Sequence, residues 1–162
     1  MKYILLASIL LIANFSFCQE NKFVPEMKAN LPMEYGEKLI QQCSRFSVEK
    51  SESFFNVSEN EITDLEINFK KLYKLKSTNC CSKGCKISNL KYYGYQFVGV
   101  IVNGEKYIYI NAFDIESSRI FLNSNDWKTK PLIICDGGQS YWGVLYNIKK
   151  KKFKNLSMNG TM

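Results

Sequence analysis

The sequence predicts an α+β fold, with one or two N-terminal helices packed on one face of an antiparallel meander of about five strands. Three observations carry this reading. Ser58 and Glu61 form a capping box at the head of an apolar stripe with helical spacing. Asn103-Gly104, the preferred two-residue hairpin turn, joins two apolar runs. Further short apolar runs then follow one another with links too short for parallel crossovers.

The first residues, "MKYILLASILLIANFSFCQE", read as a secretory signal over positions 1–18. Lys2 is the positive n-region, and Tyr3 to Ile12 form an apolar run too short to span a bilayer. Ser16 and Cys18 are the small residues at minus three and minus one of a cut before Gln19. The competing reading lipidates Cys18, but Phe17 stands where that signal prefers a small residue. The expected address is therefore secreted or periplasmic, with a lipid anchor at Cys18 as the alternative. No later stretch is long and apolar enough for a transmembrane helix. Residues 19–30 are polar and predict a loose N-terminal arm, and 31–162 a single domain. The mature chain of roughly 140 residues buries enough surface for a real core.

In "LPMEYGEKLIQQCSRF", Leu39, Ile40 and Cys43 fit one side of a short helix, with a strand as the alternative that Gly36 and the short run leave open. In the next element Val57 and Ile62 are spaced as a hydrophobic staple, and Ile62, Leu65, Phe69 and Leu72 form one stripe. Asp64 and Glu66 lie early and Lys70, Lys71, Lys74 and Lys76 late, which suits the helix dipole. The Asn103-Gly104 turn sets the hairpin register. Phe97 and Ile101 then share a face with Ile108 and Ile110, while Val98 and Val100 share the other with Tyr107 and Tyr109. Two apolar faces place this hairpin centrally. A polar connection follows around the apolar island Ile120 to Leu122, and then come three strand-like runs: "PLIICD", "YWGVLYNI" and "KFKNLSMNG". The last two are joined by a lysine-rich turn from Lys149 to Lys152.

The chain has no histidine. Ser-His and Cys-His nucleophile pairs and histidine metal sites are thereby excluded. There is no G-x-S-x-G, no Walker loop and no dinucleotide fingerprint, so no catalytic set and no cofactor are predicted. The net charge of +7 is spread over several segments and reads first as a solvated surface, second as complementarity to an acidic partner. Export and the lack of any nucleic-acid-binding signature exclude nucleic acid.

Asp136-Gly137-Gly138-Gln139, with Tyr141 and Trp142, is the candidate binding loop. Its plainer reading is a turn, because Asp and Gly form turns and two glycines permit positive φ. Trp142 alternates with Val144 and Tyr146 as a core residue does, and Gly143 marks a bulge or a close backbone approach. An enzyme reading needs a second carboxylate about 5–9.5 Å from Asp136 across a sugar, and Asp114, Glu116 and Asp126 are the candidates.

The segments "CSRFSVEKSESFFNVSENEITDLE", "YIYINAF" and "DWKTKPLIICDGGQSYWGVLYNIKKKKFKNLSMNG" resemble a family of small secreted bacterial proteins sharing Cys-Ser-Arg and Cys-Asp-Gly-Gly segments. The resemblance spans roughly Cys43 to Gly160. It implies one fold and a bacterial envelope address, and carries no assigned activity. It also implies a Cys43–Cys135 bridge, since each cysteine lies in a shared segment. Five cysteines remain after signal removal, and export makes disulfides the default. Cys85 would then pair with Cys80 or Cys81, leaving one thiol. The competing zinc reading lacks a paired C-x2-C, so no metal is predicted. The resulting expectation is a non-catalytic binding or inhibitor module of the cell envelope, whose partner is an envelope protein or glycan. The alternative is a carboxylate-dependent hydrolase acting on a glycan.

Overall fold

A computed structural model describes residues 22–45, 48, 50–78 and 82–160 of the chain. The signal-like segment, Cys80 and Cys81 lie outside the described residues. The fold is α+β, with a mixed sheet of six strands and short helices that mostly precede it in sequence. In chain order the elements are β1 (Lys28–Asn30), α1 (Gly36–Ile40), β2 (Ser51–Phe55), α2 (Glu59–Asn68), β3 (Tyr93–Val102), β4 (Glu105–Asp114), α3 (Arg119–Leu122), β5 (Tyr141–Asn147) and β6 (Lys152–Met158).

The expected meander is β3-β4-β5-β6, antiparallel throughout. Its hairpin register pairs Val102 with Glu105 across Asn103-Gly104, both at positive φ. The free edge of β3 is divided end to end between two short strands that the sequence pattern did not announce. β1 pairs in parallel with Tyr95–Phe97, and β2 pairs antiparallel with Gly99–Val102.

The capping box of α2 is formed in both directions: Ser58 Oγ accepts from Glu61 N–H, and Ser58 N–H donates to Glu61 Oε2 at 2.8 Å. The stripe Ile62, Leu65, Phe69 and Leu72 is buried against Tyr95, Ile108, Ile110, Trp142 and Tyr146 on one face of the sheet. The last two stripe residues lie in a 3-10 continuation, Phe69–Lys74.

Three expectations need correction. First, helical elements cover both faces, not one. Leu39 and Ile40 of α1, with Trp127 from the long connection, pack on the opposite face against Val98, Val100, Tyr109 and Leu145. A sheet apolar on both sides has to be covered on both sides. Second, the arm is docked from residue 22 onward. Phe23 packs on Phe69 at 5.4 Å between ring centroids, and the buried Glu66 carboxylate pairs with Lys22 Nζ at 2.8 Å and with Lys28 Nζ. Third, "PLIICD" is no strand. Residues 131–136 are mostly half-buried but, among the described residues, join no strand of the sheet. Side-chain amides take the place of a partner strand.

Candidate functional site

One row of residues crosses the second face of the sheet without an apolar side chain. In cross-strand register it runs Gln96 (β3), Asn111 (β4), Gly143 (β5), Ser157 (β6). All three polar residues are buried. Burying polar groups is costly unless they are hydrogen-bonded, so their partners define what the row is for. Gln96 Nε2 donates to the carbonyls of Trp127 and Lys130 at 2.6 and 2.7 Å, and its Oε1 accepts from Leu132 N–H at 2.9 Å. Asn111 Nδ2 donates to Gln96 Oε1 at 3.1 Å and to the Leu132 carbonyl at 3.0 Å. The row therefore fastens residues 127–132 of the long connection onto the sheet.

Two more buried amides extend the pattern. Gln42, just after α1, donates to the Leu132 carbonyl at 3.3 Å and accepts from Ile134 N–H at 3.4 Å. Asn159, just after β6, donates to the carbonyls of Ile134 and Asp136 at 2.6 and 2.9 Å. Residues 131–136 thus form a strap held by side chains from α1, β3, β4 and the end of β6. The disulfide Cys43–Cys135, with Cα atoms 4.8 Å apart, fastens it covalently to the segment after α1. This is the bridge implied by the family resemblance.

Arg45 lies at the centre of this arrangement and is almost completely buried. Its Nη2 donates to Asn111 Oδ1, while Nε and Nη1 have no partner among the described residues. The Tyr109 hydroxyl, also buried, has none either. Both groups converge above Gly143: a Cβ there would stand 2.5 Å from Tyr109 Oη and 3.2 Å from Arg45 Nη1. The close approach expected at Gly143 is thereby explained. The bulge is present too, on the facing strand, where Asn155 takes φ 57° between the Gly143–Ser157 and Leu145–Lys154 pairs. Burial lowers the Arg45 pKa, opposed in part by Tyr109, and burial raises the Tyr109 pKa, opposed in part by Arg45.

The predicted binding loop is mostly turned inward. Gly137 and Gly138 both adopt positive φ, as a turn requires. Trp142 is fully buried and Tyr141 nearly so, in opposite cores of the sheet, which removes both rings from any surface. Asp136 is half-buried, Gly138 buried, and Gly137 and Gln139 exposed. Gln139 Nε2 donates to Cys85 Sγ at 3.3 Å, so this loop lies beside the cysteine-rich one. Cys85 carries a free thiol and does not form the bridge expected of it.

The candidate acids do not gather around Asp136. Glu116 pairs with Arg119 and Asp126 with Lys130. Asp114 accepts from Ser117 N–H. One shallow concavity holds Asp114 and Glu116 and another holds Asp126, while Asp136 lines neither. Among the described residues no group of three or more Cys, Asp or Glu is placed to hold a metal ion, and no helix is long and apolar enough to cross a membrane.

Several large apolar or aromatic side chains face solvent, among them Val24, Tyr92 and an adjacent pair in the long connection. On the single turn α3, Ile120 is 84% exposed and Phe121 47%. The base of this turn is buried and hydrogen-bonded: the carbonyl of fully buried Ser118 accepts from Phe121 N–H at 2.9 Å, and the Ser118 hydroxyl donates to Tyr141 Oη at 3.3 Å. Trp127 is buried edge-on to Phe113 at 5.6 Å, and its carbonyl is one of those gripped by Gln96. The sequence shows Ile120 to Leu122 as an apolar island, and Gln96 and Asn111 as polar interruptions of apolar strands. Arg45 carries no such signal. No family model, no curated protein and no solved structure matches this chain.

Proposed function

We propose that the chain is an exported, non-catalytic binding module of the cell envelope, and that Ile120 and Phe121 are its anchor for an acidic protein partner. The observation that carries this reading is the exposure of two large apolar side chains on a turn whose foundation is buried and hydrogen-bonded. Rigid apolar anchors dock at low entropic cost, and such residues dominate interface energetics. The charge of +7 supports an acidic partner, through steering and selection of complementary surfaces. The signal-like N-terminus, the family resemblance and the surface disulfide support the envelope address. The glycan-hydrolase alternative draws no support from the candidate carboxylates, because Asp114, Glu116 and Asp126 line concavities that Asp136 does not.

The test is a photo-reactive side chain placed at position 120 in the exported protein. The expected result is a cross-link to one acidic envelope protein, weakened by salt and lost in the Phe121→Asp variant. A cross-link pattern unchanged by Phe121→Asp, or none above background, contradicts the proposal.

A further inference from the structure

We propose that Cys43–Cys135 is a reducible latch, and that a dithiol oxidoreductase of the envelope is its natural partner. Opening the latch frees the 131–136 strap from the sheet and uncovers Arg45. The inference does not depend on the partner assigned to Ile120 and Phe121.

Four features of the strap lead there. Both cysteines lie exposed, so an incoming thiolate can reach a sulfur. Among the described residues the strap has no strand ladder: its hydrogen bonds run to the side chains of Gln42, Gln96, Asn111 and Asn159, and the two to Gln42, at 3.3 and 3.4 Å, are near the long limit for a hydrogen bond. Leu132 and Ile134 pack against the second core but are only half-buried, so their apolar contact resists local opening less than a fully buried segment would. The closed state also leaves Arg45 Nε and Nη1 and Tyr109 Oη without partners. Those donors gain water when the strap lifts, which offsets part of what the strap loses. The β3-β4-β5 ladder beneath is continuous and a separate core lies on its other face, so most of the meander's hydrogen bonds and half of its packing do not involve the strap.

The chemistry is a thiol–disulfide exchange. A thiolate of the dithiol attacks one sulfur of Cys43–Cys135 and the other sulfur leaves as a thiolate. The second thiol of the reductant then resolves the mixed disulfide. Cys43 and Cys135 end as thiols, having taken up two electrons and two protons, and the reductant ends as its own disulfide.

The experiment uses the exported chain with Cys80→Ser, Cys81→Ser and Cys85→Ser, so that Cys43 and Cys135 form the only thiol pair. Backbone hydrogen exchange and dicarbonyl labelling of arginine are followed in the oxidised protein and after dithiothreitol under native conditions. On reduction, exchange at the Leu132 and Ile134 amides is expected to accelerate about tenfold or more, and Arg45 to become labelled, while Ile108 and Ile110 in β4 keep their protection. Reoxidation restores the original pattern, and Cys43→Ser/Cys135→Ser reproduces the reduced one. Unchanged protection at Leu132 and Ile134 would overturn the proposal. Loss of protection in β4 together with the strap would overturn it as well, because the bridge would then be a staple for the whole fold.

Discussion

Gly143 and Arg45 share one place in the fold: the guanidinium Nη1 stands 3.2 Å from where a Cβ on Gly143 would be. Tyr109 Oη stands closer still, at 2.5 Å. A side chain on β5 at this point forces the Tyr109 hydroxyl to shift and the buried guanidinium to give by a few tenths of an ångström. Gly143→Ala is therefore expected to destabilise the protein by about 1–3 kcal/mol, as overpacking of a closed site does. Gly143 does not have positive φ, so the cost is steric rather than conformational. Urea denaturation reads it as a lower midpoint with an unchanged slope.

The buried tyrosines predict an alkaline limit. Burial raises the pKa of Tyr93, Tyr95, Tyr109 and Tyr146, and at Tyr146 the hydrogen bond its hydroxyl donates to Asp64 at 2.6 Å raises it further. A folded pKa above the unfolded one holds the proton more tightly in the native state. The contribution is thus complete below the unfolded tyrosine value near ~10 and is lost as pH rises through the folded values. Stability is expected to be level up to about pH 9 and to fall above about pH 10. Phenolate absorbance checks this: these four rings should ionise only with unfolding.

The surface pair Glu105–Lys150, 2.5 Å apart, acts in the other direction at low pH. Its hydrogen bond to Lys150 lowers the Glu105 pKa, so the benefit is present above the unfolded carboxylate value and disappears as pH falls through the folded one. Both groups are solvated, and added salt should remove most of the effect. Glu105→Gln compared with the parent in low and high salt at neutral pH measures it.

Glu66 fastens the N-terminal arm. Its carboxylate is buried while its two lysine partners remain about one-third exposed. Glu66→Ala should cost about 1–2 kcal/mol and free the arm, since the partly solvated lysines lose only part of a buried pair. Trypsin cleavage after Lys22 and Lys28 is the readout, and it should accelerate well before the sheet unfolds.

The parts of the fold fixed by local rules were legible in the chain. The α2 capping box, the Asn103-Gly104 register and the face assignments of Phe97, Val98, Val100, Tyr107, Tyr109 and Ile110 depend on spacing and turn chemistry alone. The misread parts depend on distant partners. "PLIICD" has strand composition, yet its backbone groups are satisfied by Gln42, Gln96, Asn111 and Asn159, none of which is near it in sequence. β1 and β2 are short and depend on the open edge of β3. At the candidate site, Asp136 to Trp142 attracts the reading through glycine and aromatic content, but the two rings are core, while Ile120 and Phe121 are exposed. Arg45 was invisible because a charged residue predicts a surface, and only the folded row shows it buried.

The central claim is that a buried polar row, with Asn111 as the partner of Arg45, founds the strap and the surface turn beyond it. A double-mutant cycle tests this most directly, by urea denaturation of Asn111→Leu, Arg45→Met and the two combined. Asn111→Leu alone should cost about 3 kcal/mol, because it leaves the guanidinium buried with no partner. Arg45→Met alone should be near neutral, since it removes a charge that is already short of partners. In the double variant Arg45→Met should restore about 1–2 kcal/mol of the Asn111→Leu loss. Costs that simply add would contradict the account, since Arg45 and Asn111 would then not be acting as one buried unit.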